Sequence, residues 1–331
     1  MVILKKFFIS SFFLLILFSS VSFAQGTETQ TEKQKIAFKE IWGYVSYGEE
    51  GSFSYDYPVT DIGYFAGYIS SFSELVPVPK RSERFPDFKG RIHLVTNLES
   101  KPQTHLLLDP KLPLRNRIIK ELVKQAEDYD GLQIDWELVM KDDDENYWNF
   151  LKLLKKKLKG KMLTVAVPAR MKTLEKDPYD YEVLSKIADR IIVMAYDEHW
   201  STSIPGPVAS YAWCKRISDY AKTMIPEEKL VMGCHFYSRA WNNEDIGRKA
   251  YRMYKIEDLV KENKVKDFKK SADGDQSFSF EKKTKVTVYY DTVESATKRC
   301  QMYADKGVKA LSFWRIGQED PKFWENLEVS R

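Results

Sequence analysis

From about residue 36 onward, short apolar runs alternate with stretches in which apolar positions recur every three or four residues. The first pattern suits buried strands and the second amphipathic helices packed over them, so their alternation predicts a parallel sheet wound from strand–helix units. The strand-like runs are residues 40–46, 62–68, 91–96, 131–136, 162–167, 190–195, 230–235 and 310–314. Eight such runs predict an α/β fold, the closed (β/α)8 or TIM barrel. Between the fourth and fifth runs, Tyr147, Phe150, Leu151, Leu154 and Leu158 fall at helical spacing. The lysines from Lys152 to Lys159 then read as the solvated face of that helix, and Asp142 to Glu145 as acids suited to its N-terminal dipole. The alternation breaks at about 246–291, where a short helix near 256–263 and the runs SFSF and KVTVYY predict a small α+β insertion after the seventh strand. No internal repeat is visible beyond the strand–helix alternation.

At 43% hydrophobic and 14% aromatic residues over 331 positions, the chain has enough apolar side chain for one large core. The first 24 residues carry Lys5 and Lys6 as their only charges, then an apolar run over 7–18 and small residues at Ser22 and Ala24. That is the pattern of a secretory signal cut after Ala24, with an uncleaved anchor as the alternative reading. Residues 25–35 read as a flexible leader and 36–331 as the barrel. A secreted or periplasmic location follows, with no stable membrane span after cleavage, and a monomer is expected. Removing the two lysines lowers the formal charge from +4 to +2, which is no nucleic-acid footprint. Cys214, Cys234 and Cys300 allow at most one bridge and read as small core residues. The four histidines are scattered without paired ligand spacing, so neither a metal site nor a cofactor is expected.

Acidic residues and apolar alternation coincide in DGLQIDWE, residues 130–137. Strand side chains alternate between faces, so Leu132, Ile134 and Trp136 point toward the covering helices while Gln133, Asp135 and Glu137 point into the barrel. Inward carboxylates are costly to desolvate unless they are paired or do chemistry. Glu137 lies nearest the C-terminal end of its strand, the face at which barrels of this type carry their sites. Asp130 precedes the strand and reads as a turn cap beside Gly131.

The segment resembles the D-G-x-D-x-D-x-E signature of family 18 glycoside hydrolases, the chitinase family. Met194-Ala195-Tyr196-Asp197 is similar to the family's M-x-Y-D element, Gly233 to Trp241 to its G-x-x-F-Y-x-x-x-W pattern, and Trp314 to the tryptophan of the last strand. GPVA at 206–209 also fits, and the resemblance runs from about Ile41 to Trp324. It implies retaining hydrolysis assisted by the substrate's 2-acetamido group. In that scheme Glu137 is the acid and then the base, Asp135 orients the acetamido group, and the Tyr196 hydroxyl holds its carbonyl. Asp197 would bind the sugar, Trp314 would floor the subsite, and Gln133, Tyr44 and Tyr237 are further candidate contacts. Trp200 and Trp241 are weighed equally between sugar contact and packing.

Two departures qualify the resemblance. Gln133 stands where many chitinases have another aspartate, able still to donate a hydrogen bond to Asp135 but removing a charge near Glu137, which predicts a more acidic optimum or slower turnover. On the third strand, LVTNLES at 94–100 replaces the common S-x-G-G element and is closer to the branch resembling bacterial spore-cortex and peptidoglycan N-acetylglucosaminidases. The resemblance therefore implies an N-acetylglucosamine-containing oligosaccharide or polysaccharide as partner, peptidoglycan or chitin, cleaved at β-1,4 bonds. The alternatives are a non-catalytic lectin on the same barrel and an unrelated barrel with an acidic strand.

Overall fold

A computed structural model describes residues 34–242, 249–281 and 285–330; the expected signal and nearly all of the leader lie outside them. Eight parallel strands close into a barrel: Glu40–Ser46, Asp61–Tyr68, Arg91–Asn97, Gly131–Asp135, Met162–Pro168, Arg190–Met194, Leu230–His235 and Ala310–Trp314. The expected strands are all present and differ from these bounds by no more than one residue at an end. The fourth ends at Asp135, so Glu137 sits on the turn just beyond the ladder and not on the strand itself.

Just past the fourth strand, Trp136 packs outward against Phe150 of a covering helix with ring centroids 4.9 Å apart. The helix Asp144–Lys157 buries Tyr147, Phe150, Leu151 and Leu154. Inside the barrel, Trp42, Ile192, Val231 and Ala310 form a separate buried cluster, and His93 stacks on Trp42. Close approach requires glycine at two inner positions. A Cβ on Gly63 would lie 2.5 Å from the Tyr44 ring, and one on Gly233 would lie 2.7 Å from the Val193 carbonyl oxygen.

The insertion is larger than its sequence pattern implied and starts earlier, directly after the seventh strand. Its five-stranded antiparallel sheet runs Lys249–Arg252, Tyr237–Asn242, Lys285–Tyr290, Gln276–Glu281 and Phe268–Lys270 in spatial order, with the helix Ile256–Glu262 against it. The chain leaves the barrel at Phe236, whose N–H donates to the Trp314 carbonyl and whose ring stacks on Phe313. A buried knot ties the sheet's end to the barrel: Asp291 accepts from Arg299, from Ser295 Oγ (2.7 Å) and pairs with His235 Nε2 (2.9 Å). All three cysteines are buried and unbridged. Among the described residues no group of acids, histidines and cysteines could hold a metal ion, and no helix is long and apolar enough to cross a membrane.

Candidate active site

A cleft of about 660 Å³ opens at the C-terminal end of the strands. Asp135, Glu137, Tyr196, Asp197, Tyr237 and Trp314 all line it, drawn from the fourth, sixth and eighth strands and from the first strand of the insertion sheet. Trp200 lines it too, half exposed. Trp241 does not. It lies farther along the insertion, edge-on to Tyr289, and borders a separate hollow.

Tyr44 and Gln133, expected as sugar contacts, are buried beneath the cleft. The Tyr44 hydroxyl donates to Gln133 Oε1 at 2.8 Å, and the Tyr44 ring packs 5.6 Å from that of Trp314. The expected hydrogen bond from Gln133 to Asp135 is absent: Gln133 Nε2 and Asp135 Oδ1 each lack a protein partner. Asp135 therefore sits over a neutral, fixed amide with one oxygen uncompensated. Burial, then the charges of Glu137 and Glu99, push its carboxyl up to about 8.

Glu137 is open to the cleft by surface area, yet the surrounding walls displace enough water that desolvation leads the upward shift of its carboxyl, with Glu99 and Asp197 adding repulsion. Its turn is clamped by Tyr179, whose hydroxyl donates to the Trp136 carbonyl (2.7 Å) and accepts from the Val139 N–H (3.0 Å). Asp197 is in the opposite electrostatic condition. It sits at φ +61°, which aspartate tolerates better than most residues. There its Oδ1 accepts from the Tyr237 hydroxyl (2.6 Å) and from Arg239 Nε and Nη2 (2.9 and 2.7 Å). On the far wall Arg170 is held by Asp177 at 2.7 Å.

Trp314 lines the cleft, with the Phe65 ring packed edge-on to it at 4.8 Å. Two carboxyls shifted upward, a phenol and an aromatic side chain lining one cleft make a site suited to protonating a leaving oxygen over a sugar ring. The signature of the fourth strand thus meets the elements expected with it on the other strands.

A family model, glycosyl hydrolases family 18, matches residues 113–319, more than half of the chain. The chain belongs to glycoside hydrolase family 18. Within this family of glycosidases it is similar to the uncharacterized glycosylase YvbX of Bacillus subtilis (strain 168), with 29% identity over 64% of this chain and 65% of that protein. It is also similar to the cortical fragment-lytic enzyme of Bacillus anthracis, with 25% identity over 72% of this chain and 60% of that one. The chain thus spans less than two thirds of the length of either relative. The crystal structure of the Bacillus cereus spore cortex-lytic enzyme SleL superposes with a TM-score of 0.79 at 20% identity, covering 90% of this chain and 76% of the other, a likeness of fold.

Sequence reasoning missed Glu99, Tyr179, Arg170 and Arg239. Glu99 had a legible signal, since it stands two residues past the end of the third strand, as Glu137 does past the fourth. The Tyr179 clamp had none, because it joins positions 43 and 40 residues apart.

Proposed function

We propose that the protein is an exported glycosidase that hydrolyses β-1,4 bonds beside N-acetylglucosamine with retention of configuration. The observation that carries this reading is the Asp135–Glu137 pair lining one cleft, both carboxyls pushed upward by burial and by Glu99, with Glu137 adding to the push on Asp135. With its carboxyl pushed up to about 8, Asp135 retains a proton near neutrality. An acetamido N–H donating to Asp135 favours its ionised form, and the proton it releases passes to Glu137. Glu137 then protonates the glycosidic oxygen as the acetamido carbonyl oxygen attacks the anomeric carbon, and the leaving sugar departs as an alcohol. Ionised Asp135 faces the positive oxazolinium, and the Tyr196 hydroxyl steadies the acetamido oxygen. Water next attacks the anomeric carbon from the face the alcohol left, giving its proton to Glu137 and reopening the ring. Trp314 supplies an apolar platform for the sugar, while Asp197, held by Tyr237 and Arg239, borders the same subsite.

Peptidoglycan is favoured over chitin because the similar proteins include a cortical fragment-lytic enzyme and because this chain carries Gln133 and, in LVTNLES at the third strand, Asn97 in place of the common chitinase residues. Export rests on the basic, apolar and small-residue order of the first 24 residues. The test is incubation with purified peptidoglycan and with chitooligosaccharides, reading products by mass spectrometry and the first-formed anomer by NMR. Muropeptide fragments ending in N-acetylglucosamine, released as the β-anomer, are expected. First release of the α-anomer contradicts the mechanism. Binding without cleavage at any pH would establish a lectin instead.

A further inference from the structure

Among the described residues, Glu99 is the one carboxylate lining the cleft that the proposed chemistry leaves unused. Its neighbour Asp197 is neutralised by Arg239, whereas Glu99 takes part in no ion pair among the described residues. Among the described residues its side chain accepts a 3.5 Å hydrogen bond from Asn97 Nδ2. The strand ends show where it stands. In the parallel ladder Asn97 lies opposite Asp135, the last residues of two adjacent strands, and two residues farther along each chain come Glu99 and Glu137. Both glutamates thus follow neighbouring strand ends, and both line the cleft.

We infer that Glu99 is a positioning residue for the proton on Glu137: a third carboxylate, delivered from the neighbouring strand, that holds this proton by charge repulsion. Gln133, where the family pattern has aspartate, is neutral and locked by Tyr44, so nothing beneath Asp135 supplies that repulsion. The replacement comes from the side and from the solvent-facing rim. After burial, Glu99 is the largest charge effect on Glu137, and it also acts on Asp135 behind Glu137. The other groups facing Glu137 are accounted for: Asp135 from its own strand, Tyr196 and Asp197 from the sixth, Tyr179 and Arg170 from the segment after the fifth, and Tyr237 and Arg239 from the insertion. The two arginines are engaged by Asp177 and Asp197, so neither cancels Glu99. Because Glu99 is exposed, its influence is open to screening by salt.

The inference rests on the proposed role of Glu137, so its test reads the proton directly. Carboxyl-labelled glutamate in the full chain lets NMR follow the Glu137 titration in the native protein, Glu99→Gln and Glu99→Asp. The Glu99→Gln midpoint is expected to fall by roughly 0.5 to 1 pH unit, as loss of one nearby charge through partly wet protein implies. Glu99→Asp should retain most of the native value. The native–Gln difference should shrink in about 1 M salt, where the Debye length falls to ~3 Å. On chitooligosaccharides the basic limb of kcat/KM should move down by the same amount in Glu99→Gln, with KM little changed at the optimum. An unmoved midpoint in a folded Glu99→Gln protein overturns the inference, and so does a loss of activity equal at every pH. A native protein that cleaves no glycan would overturn the hydrolase reading alone, since the NMR midpoint needs no turnover.

Discussion

The two ends of this barrel treat acidic residues in opposite ways. At the N-terminal end, Glu40, Asp61, Arg91 and Arg190 are each the first residue of a strand and close into one network. Glu40 accepts from Arg190 at 2.6 Å, from Arg91 at 2.8 Å and from the Trp42 indole at 3.1 Å, while Asp61 accepts from Arg91 at 2.6 Å and meets His93 Nε2 at 2.9 Å. Burial opposes ionisation of Glu40, but the Arg190 and Arg91 hydrogen bonds overcome it and pull the carboxyl down to about 2. At the C-terminal end, no cation among the described residues offsets the burial of Asp135, and Glu137 and Glu99 push the same way as burial. Partners, more than depth, decide whether a buried carboxylate is a strut or a proton store.

The largest expected effect is at the floor. Glu40→Gln leaves Arg190 without its counter-charge and Arg91 with Asp61 alone, and should cost about 3 kcal/mol in denaturant melts, the low end for a broken buried pair because the arginines are partly exposed. Activity below the melting range should be nearly unchanged. Because the folded-state carboxyl is depressed, its stabilisation is present above the unfolded value near 4.5 and fades as pH falls through about 2. The deficit of the variant should fade over that acid range.

At the rim the sign reverses. Asp135→Asn should lower kcat by about 10²-fold, as loss of one electrostatic stabiliser does, while raising stability by on the order of a few kcal/mol at pH 8. The folded carboxyl is raised from 3.8 to about 8, so native stability is whole below pH 4 and is lost as pH rises to 8. Melting curves should therefore coincide near pH 4 and separate upward, and a variant less stable at pH 8 would break the comparison.

Smaller effects sharpen it. Tyr179→Phe removes the clamp on the Glu137 turn and should cost about 1 to 3 kcal/mol in melting experiments for the unpaired backbone groups. A fall in kcat larger than that in KM would show that the clamp sets the placement of the acid. Gln133→Asp adds charge beneath Asp135 and should move the basic limb of the pH–rate profile upward by roughly 0.5 to 1 pH unit.

The barrel was legible because each strand is a short apolar run bounded by polar or turn residues, a local signal repeated eight times. Alternation within DGLQIDWE also put Asp135 and Glu137 on the inner face. What escaped is held by contacts distant in sequence. The fourth strand stops at Asp135 because the Tyr179 hydroxyl draws the next peptides into a turn. Tyr44 looked like a sugar contact at a strand end, but the absent side chain of Gly63 lets its ring sink to Gln133, 89 residues away. The insertion began at Tyr237 and not near 246 because Tyr237–Asn242 pairs with Lys285–Tyr290, a partner that local pattern does not reveal.

The central claim, that the rim carboxyls hold a proton for chemistry, is tested most directly by Glu137→Gln. Reducing-end release from peptidoglycan and chitooligosaccharides would be followed from pH 4 to 9, beside melting curves of both proteins. The account predicts a loss of at least about 10³-fold at every pH, within the range of general acid–base catalysis, with melting equal to the native protein near pH 4 and at or above it as pH rises. A folded Glu137→Gln protein that releases reducing ends at the native rate would contradict it.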